Sequence, residues 1–169
     1  LEKWGSGREQ KRMSCGSFLS HNFDWQQDHP LLIPLEDSVI YGLNVRAFTI
    51  HKSSGVRRRG TFEGIIEKIP YLKELGITAV ELMPCYEYEE CMYPEEKPSL
   101  FMNPAAEFPE NVLQTKKESM EEIRLNCWGF QKGFYFAPKA AYSFGKFPEI
   151  SFKTMVRELH KNGIEVMMQ

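Results

Sequence analysis

The chain has 169 residues, 42% of them hydrophobic, with 21 Lys+Arg against 23 Asp+Glu and a formal net charge of −2. That length supports one domain with a buried core and falls short of the ~200 residues or more of a closed eight-fold α/β barrel. Balanced charge gives no basic field for nucleic acid or a membrane surface, and no apolar run reaches the ~18 residues of a spanning helix.

The sequence starts at Leu1 rather than Met and shows no signal peptide, so it reads as an internal piece of a longer protein or one whose start was lost. Residues 1–36 read as an irregular lead-in or a linker from an upstream domain, broken by Gly5, Gly7, Gly16, Pro30 and Pro34. Trp4, Phe18, Phe23 and Trp25 predict that this segment packs against something, with an upstream domain as one candidate. SVIYGLNVRAFT, residues 38–49, is rich in β-formers and predicts a strand over 39–48 buried on both faces. The loop HKSSGVRRRG follows, with Lys52, Arg57, Arg58 and Arg59. Such a cluster can serve phosphate or nucleic acid, but it is short and lacks interleaved aromatics, which favours a solvated surface loop.

Thr61 can cap a helix starting at Phe62, whose apolar stripe runs through Ile65, Ile66, Ile69, Leu72 and Leu75. Pro70 should kink or split that helix, and Gly76 supplies a left-handed stop. Ile77 to Pro84 then reads as a second strand, so strand, helix and strand make a βαβ unit with a parallel sheet. Near the end, Phe152, Met155, Val156 and Leu159 mark another helix, Gly163 stops it, and Ile164 to Met168 is a third strand.

Residues 85–149 separate the second strand from the last helix, far more than the ~2–6 residues of an ordinary βα connection. A segment this long should carry function or its own subdomain. Its acidic stretch, Glu87, Glu89, Glu90, Glu95 and Glu96, reads as a solvated face rather than a cation site. A short helix is predicted around Thr115–Leu125. Residues 126–145 hold seven aromatics: Trp128, Phe130, Phe134, Tyr135, Phe136, Tyr142 and Phe144. Rings at that density either stack on sugar or form a satellite apolar cluster. Their place after the second strand of a parallel sheet, where ligands collect, favours sugar.

Titratable chemistry is sparse. There are 20 Glu but only three Asp, the last at Asp37, so a mixed Asp/Glu acid–base pair has no source beyond that point, while a Glu–Glu pair stays open. Cys15, Cys85, Cys91 and Cys127 show no C-x-x-C spacing, and His21, His29, His51 and His160 show no H-x-x-x-H. The thiols read as reduced and the compartment as cytoplasmic. No catalytic residue, metal ligand or cofactor is assigned.

Four stretches together resemble glycoside hydrolase family 13, the α-amylase superfamily, in its isoamylase, glycogen-debranching and pullulanase branch. VIYGLNVRAFT is similar to that branch's first barrel strand, and GTFEGIIEKIPYLKELGITAVELMP to its first helix and second strand. NCWGFQKGFYFAP resembles the segment before the third strand, and FKTMVRELHKNGIEVMM the helix and strand leading into the first catalytic-core motif. The resemblance implies an α/β fold: the first three βα units of a (β/α)8 TIM barrel, incomplete, with a long insertion after strand 2. Residues 37–169 would be the truncated N-terminal part of that barrel, with its remainder downstream. It implies retaining chemistry on an α-glucan partner such as glycogen or starch, with neither nucleic acid nor membrane involved. The family's Asp nucleophile, Glu acid/base and third Asp would all lie beyond Gln169, leaving this chain inactive alone. Candidate substrate-binding residues are Asn126, Trp128 and Phe130, the last stacking on the sugar beside the cleaved bond.

Phe130 stands where the family commonly has Tyr, and Gln169 where it has Asp. Gly42 and Asn44 replace its usual Glu and His. Two readings follow: part of a debranching hydrolase, or a non-catalytic α-glucan-binding relative that has lost the acid/base set. An unrelated α/β protein using residues 85–149 as a cofactor lid is a third, without a G-x-G-x-x-G or P-loop to support it.

Overall fold

The computed structural model describes residues 22–92, 124–130 and 133–169. Three strands, β1 (Ile40–Leu43), β2 (Ala79–Leu82) and β7 (Glu165–Met168), form a parallel sheet in that spatial order. Ile40 faces Ala79 and Leu43 faces Leu82 across one ladder; Ala79 faces Glu165 and Leu82 faces Met168 across the other. Helices connect them, as the alternation of strand and helical periodicity requires. The sheet and helices bury Leu43, Val45, Phe62, Ile65, Leu72, Val80, Leu82, Met155, Leu159 and Ile164 in one core. Each such side chain contributes ~1.5–3 kcal/mol by leaving water.

The first strand is shorter than its composition predicts. It stops at Leu43, and Val45–Thr49 forms a short helix, α1, in place of the strand expected through residue 48. Asn44 is the cause. Its Oδ1 accepts from the backbone N–H groups of Arg46 at 3.1 Å and Ala47 at 3.0 Å, a cap that outweighs the β-propensity of Val45, Phe48 and Thr49.

Thr61 caps the next helix as expected, accepting from Gly64 N–H at 3.2 Å. Pro70 splits the apolar stripe into α2 (Phe62–Glu67) and α3 (Ile69–Glu74), because its ring and missing N–H suit a first turn and not an interior. Gly76 and Gly163 take the left-handed conformation that ends a helix, at φ 73° and 74°. The last helix, α4 (Pro148–Lys161), begins at a proline a few residues ahead of its apolar stripe.

The long connection builds antiparallel pairs that sequence periodicity did not reveal. β3 (Tyr86–Tyr88) pairs with β6 (Gly133–Pro138), and β4 (Cys91–Met92) pairs with β5 (Arg124–Leu125). Arg124 and Leu125 are therefore strand where a helix was expected; residues 115–123 of that helix, with Glu95 and Glu96, lie outside the described residues.

The described part of the lead-in packs on α4 of the same chain. Arg157 and Lys153 lie over the Phe23 ring at 5.1 and 5.9 Å, and Arg157 donates to the Asp24 carbonyl at 2.8 Å. Asp28 meets His160 Nδ1 at 2.9 Å. Trp4 and Phe18 lie outside the described residues. Among the described residues no helix is long and apolar enough to cross a membrane.

Candidate functional site

In a parallel sheet the loops leaving the strands' carboxyl ends share one side, and ligands of such folds bind there. Here that side carries residues 44–61 after β1 and the long connection after β2. The connection is fastened down close to the sheet: Met83 N–H donates to the Leu43 carbonyl at 2.9 Å, and Lys139 N–H to the Cys85 carbonyl at 2.8 Å.

The turn holding Trp128 and Phe130 hangs on this support. Gly129 sits at φ 81°, and a Cβ there would come within 2.4 Å of the Tyr88 ring and 2.8 Å of Pro84. Only glycine fits a backbone pressed that tightly against the exit of β2. Asn126 is buried, and its side chain is taken up by the turn: Oδ1 accepts from Gly129 N–H at 2.9 Å and Nδ2 donates to the Glu89 carbonyl at 3.4 Å. Asn126, expected as a substrate contact, has both its side-chain oxygen and its side-chain nitrogen engaged within the protein. Trp128 and Phe130 flank Gly129 and keep 55% and 56% of their surface exposed. Phe134, Tyr135 and Phe136 on β6 are exposed as well, whereas Tyr142 of the same aromatic segment is buried. The segment therefore divides: most rings face solvent and one enters the core.

Behind the rings lies a polar network that the sequence reading missed. Lys139 is 2% exposed, and its ammonium meets Glu87 Oε1 at 3.2 Å, Glu90 Oε1 at 3.3 Å and the Tyr88 carbonyl at 3.0 Å. Its Nζ also lies 3.8 Å from the centre of the Tyr88 ring, a cation–π distance. Arg46 donates to Glu90 at 3.1 Å, and the Tyr88 and Tyr142 hydroxyls are 2.8 Å apart. Burial, then the Tyr142 hydroxyl, push the Tyr88 phenol well above its ordinary range. Burial opposes ionisation of Glu90, but Lys139 and Arg46 overcome it and hold the carboxyl below its usual range. Glu87 and Glu90 therefore neutralise a buried lysine, where the sequence predicted a solvated acidic face. The available signal was Lys139 itself, a cation set among aromatics in FYFAPKAAY, with a pair of glutamates three apart upstream.

Asn44 also belongs to this side. Its Nδ2 is buried and has no hydrogen-bond partner among the described residues. No group of three or more His, Cys, Asp or Glu among the described residues could hold a metal ion.

Residues 35–93 match the family described as alpha amylase, catalytic domain. The chain is 40% identical over 152 residues to isoamylase 1, chloroplastic, of Oryza sativa subsp. japonica, covering 86% of this chain and 16% of that protein. It is 30% identical over 153 residues to a glycogen operon protein GlgX homolog of Haemophilus influenzae, covering 89% and 19%. A pullulanase from Paenibacillus barengoltzii, solved with maltotriose, matches in structure with a TM-score of 0.60 at 27% identity, over 86% of this chain and 22% of that one. The chain spans about a sixth to a fifth of the length of these curated relatives. Over the matched span it belongs to the α-amylase superfamily of glycoside hydrolases, in the branch of isoamylases, glycogen-debranching proteins and pullulanases.

Proposed function

We propose that residues 37–169 supply the first three βα units of an α-amylase-type (β/α)8 barrel acting on an α-glucan, with Trp128 and Phe130 as its sugar-stacking surface. Residues 22–36 act as a strap over α4 that leads into the barrel. The observation that carries this reading is the pair of exposed rings, Trp128 and Phe130, on the Asn126–Phe130 turn, anchored by Gly129 against the exit of β2 at the carboxyl end of the sheet. Rigid, half-exposed rings recognise the C–H faces of glucose units at low entropic cost. Asn126 acts through the turn, fixing the two rings relative to one another. The maltotriose in the Paenibacillus barengoltzii pullulanase structure supports a glucan as the ligand class.

The chemical step belongs to the retaining mechanism that the family resemblance implies, and no acid/base pair in this chain is assigned to it. On that reading the chain alone does not cleave α-glucan. A second reading, a glucan-binding relative without hydrolysis, is favoured by Phe130, Gly42, Asn44 and Gln169, which depart from the family's pattern. Cys85, Cys91 and Cys127 are free thiols, which suits the reducing cytoplasm expected from the sequence; the rice relative's name places that protein in the chloroplast.

Calorimetry with maltotetraose on the full-length protein tests the platform. Phe130→Ala should weaken binding by ~1–3 kcal/mol, the scale of one aromatic stack in nucleic-acid systems, while Phe130→Tyr should retain it. Unchanged affinity in a folded Phe130→Ala variant would mean that the ring does not touch sugar.

A further inference from the structure

The basic loop reads in sequence as a solvated surface because no aromatic interrupts it. The fold supplies one from elsewhere. Arg57, Arg58 and Arg59 line a cavity of about 310 Å³ with Ile50, and its far wall is Phe144. That is at the lower end of the ~300–1,000 Å³ typical of small-molecule sites. The Arg58 guanidinium carbon stands 4.8 Å from the centre of the Phe144 ring.

Both walls are built on one helix. Glu67 of α2 accepts from the backbone N–H groups of Arg57 at 2.9 Å and Arg58 at 3.1 Å. Glu63, one turn earlier, accepts from Phe144 N–H at 3.1 Å. Thr61 Oγ donates to the Arg58 carbonyl at 2.8 Å, and Gly60 N–H donates to buried Thr49 Oγ at 2.8 Å. The loop backbone is therefore fixed before any ligand arrives, which lowers the cost of binding.

The arginine heads are left available. None of the three guanidiniums makes a hydrogen bond or contact ion pair among the described residues, and the Arg58 head rests on the ring. Glu67 feels the charges of Arg57 and Arg58, but its oxygens are taken up by backbone N–H groups. Three neighbouring cations repel one another, and a shared anion relieves that repulsion. Guanidinium forks match phosphate oxygens in pairs, and an aromatic wall suits the face of a sugar ring. The cavity lies between the loop that leaves β1 and the loop that enters α4, both on the carboxyl side of the sheet.

We propose that the cavity between Arg57–Arg59 and Phe144 binds a phosphate monoester carried on a sugar. The sugar half rests on the α-glucan reading; the phosphate half does not. The phosphate arrives either on the glucan itself or on a free sugar phosphate.

The test is calorimetry on full-length protein with glucose, glucose 6-phosphate, inorganic phosphate and maltotetraose. Binding is then compared between a phosphate-bearing starch dextrin and the same dextrin after phosphatase treatment. Glucose 6-phosphate should bind at least about ten-fold tighter than glucose, the scale of one charge-assisted contact. That preference should vanish in Arg58→Gln and persist in Lys73→Gln, which removes the same charge from an exposed position on α3. A dextrin preference for phosphate assigns the glucan as source; equal dextrins with tight glucose 6-phosphate assign the free sugar phosphate. Glucose 6-phosphate no tighter than glucose, or equally tight in Arg58→Gln, overturns the site. Inorganic phosphate as tight as glucose 6-phosphate overturns the sugar half. Loss of maltotetraose binding with the phosphate preference intact would overturn the α-glucan reading and leave this site standing.

Discussion

The Lys139 network makes an asymmetric prediction about which half of a buried ion cluster matters. Lys139 is 2% exposed, while the side chains of Glu87 and Glu90 keep 37% and 38%. In Lys139→Met a stem of similar length still fills the site, and the desolvation cost of the ammonium disappears. Glu87 retains Ala140 N–H at 2.8 Å and Glu90 retains Arg46 at 3.1 Å, and both carboxylates reach water. What is lost is mainly the donor to the Tyr88 carbonyl, so the cost should be about 1–2 kcal/mol. In the paired Glu87→Gln and Glu90→Gln variant the amides keep the shape and exclude water. The ammonium stays buried without a counter-charge, at a cost of about 3 kcal/mol or more. With urea slopes of ~1–3 kcal/mol/M, the paired variant should unfold about 1 M earlier than Lys139→Met. Urea titration at pH 7, followed by tryptophan fluorescence, reads both midpoints. A Met variant as unstable as the paired one would refute the claim that the lysine's own desolvation sets the balance.

Burial pushes the Cys85 thiol up to about 11, so at pH 8 iodoacetamide should label exposed Cys127 well before Cys85, as peptide mapping would read. The same shift gives a pH limb. The unfolded thiol ionises from about 8.5 while the folded one stays protonated, so stability falls as pH rises from there toward about 11, and Cys85→Ala should remove that limb in unfolding midpoints. At Gly64 a Cβ would lie 2.4 Å from the Arg58 carbonyl oxygen and 2.9 Å from Thr49 Oγ. Gly64→Ala should therefore cost ~1–3 kcal/mol by overpacking and loosen the arginine loop. Hydrogen exchange should show faster turnover of Gly60 N–H; unchanged protection would mean that the loop yields without cost.

What sequence made legible was local chemistry. Pro70, Gly76 and Gly163 act within a turn of themselves, and each does what its ring or its missing Cβ dictates. The parallel sheet was legible because its strands and helices alternate with clear periods. The end of β1 was not, because a single Asn44 cap competes with a β-rich run, and composition does not say which wins. The β3–β6 pair was hidden for another reason: Glu87 meets Phe134 across more than forty intervening residues, with no turn signal joining them. At the site, aromatic density pointed correctly to exposed rings at Trp128 and Phe130. It could not separate them from Tyr142, whose fate is set by the Tyr88 hydroxyl and the Phe62 ring. Phe144 looked like one more ring of that run until the fold set it against arginines some eighty-five positions earlier.

The two proposed ligand surfaces share one support, and this follows from who holds whom. The Asn126 turn hangs from the carbonyls of Glu89 and Glu90, and Glu90 is held by Arg46 of α1 and by Lys139. Arg46 lies over the Tyr142 ring at 5.4 Å, and Tyr142 meets Phe62 edge-on at 6.0 Å. Phe62 opens α2, the helix whose Glu63 and Glu67 carry the two walls of the arginine cavity. The links are backbone hydrogen bonds, ion pairs and ring contacts, so one continuous set of contacts joins the sugar platform to the cavity. Changes at the exposed tips, Phe130 or Arg58, remove a contact and leave this support intact. Changes at Lys139 or Gly64 act on the support itself, and their effects need not add, because residues that share partners do not contribute independently. The tips are therefore the places where binding can be separated from folding.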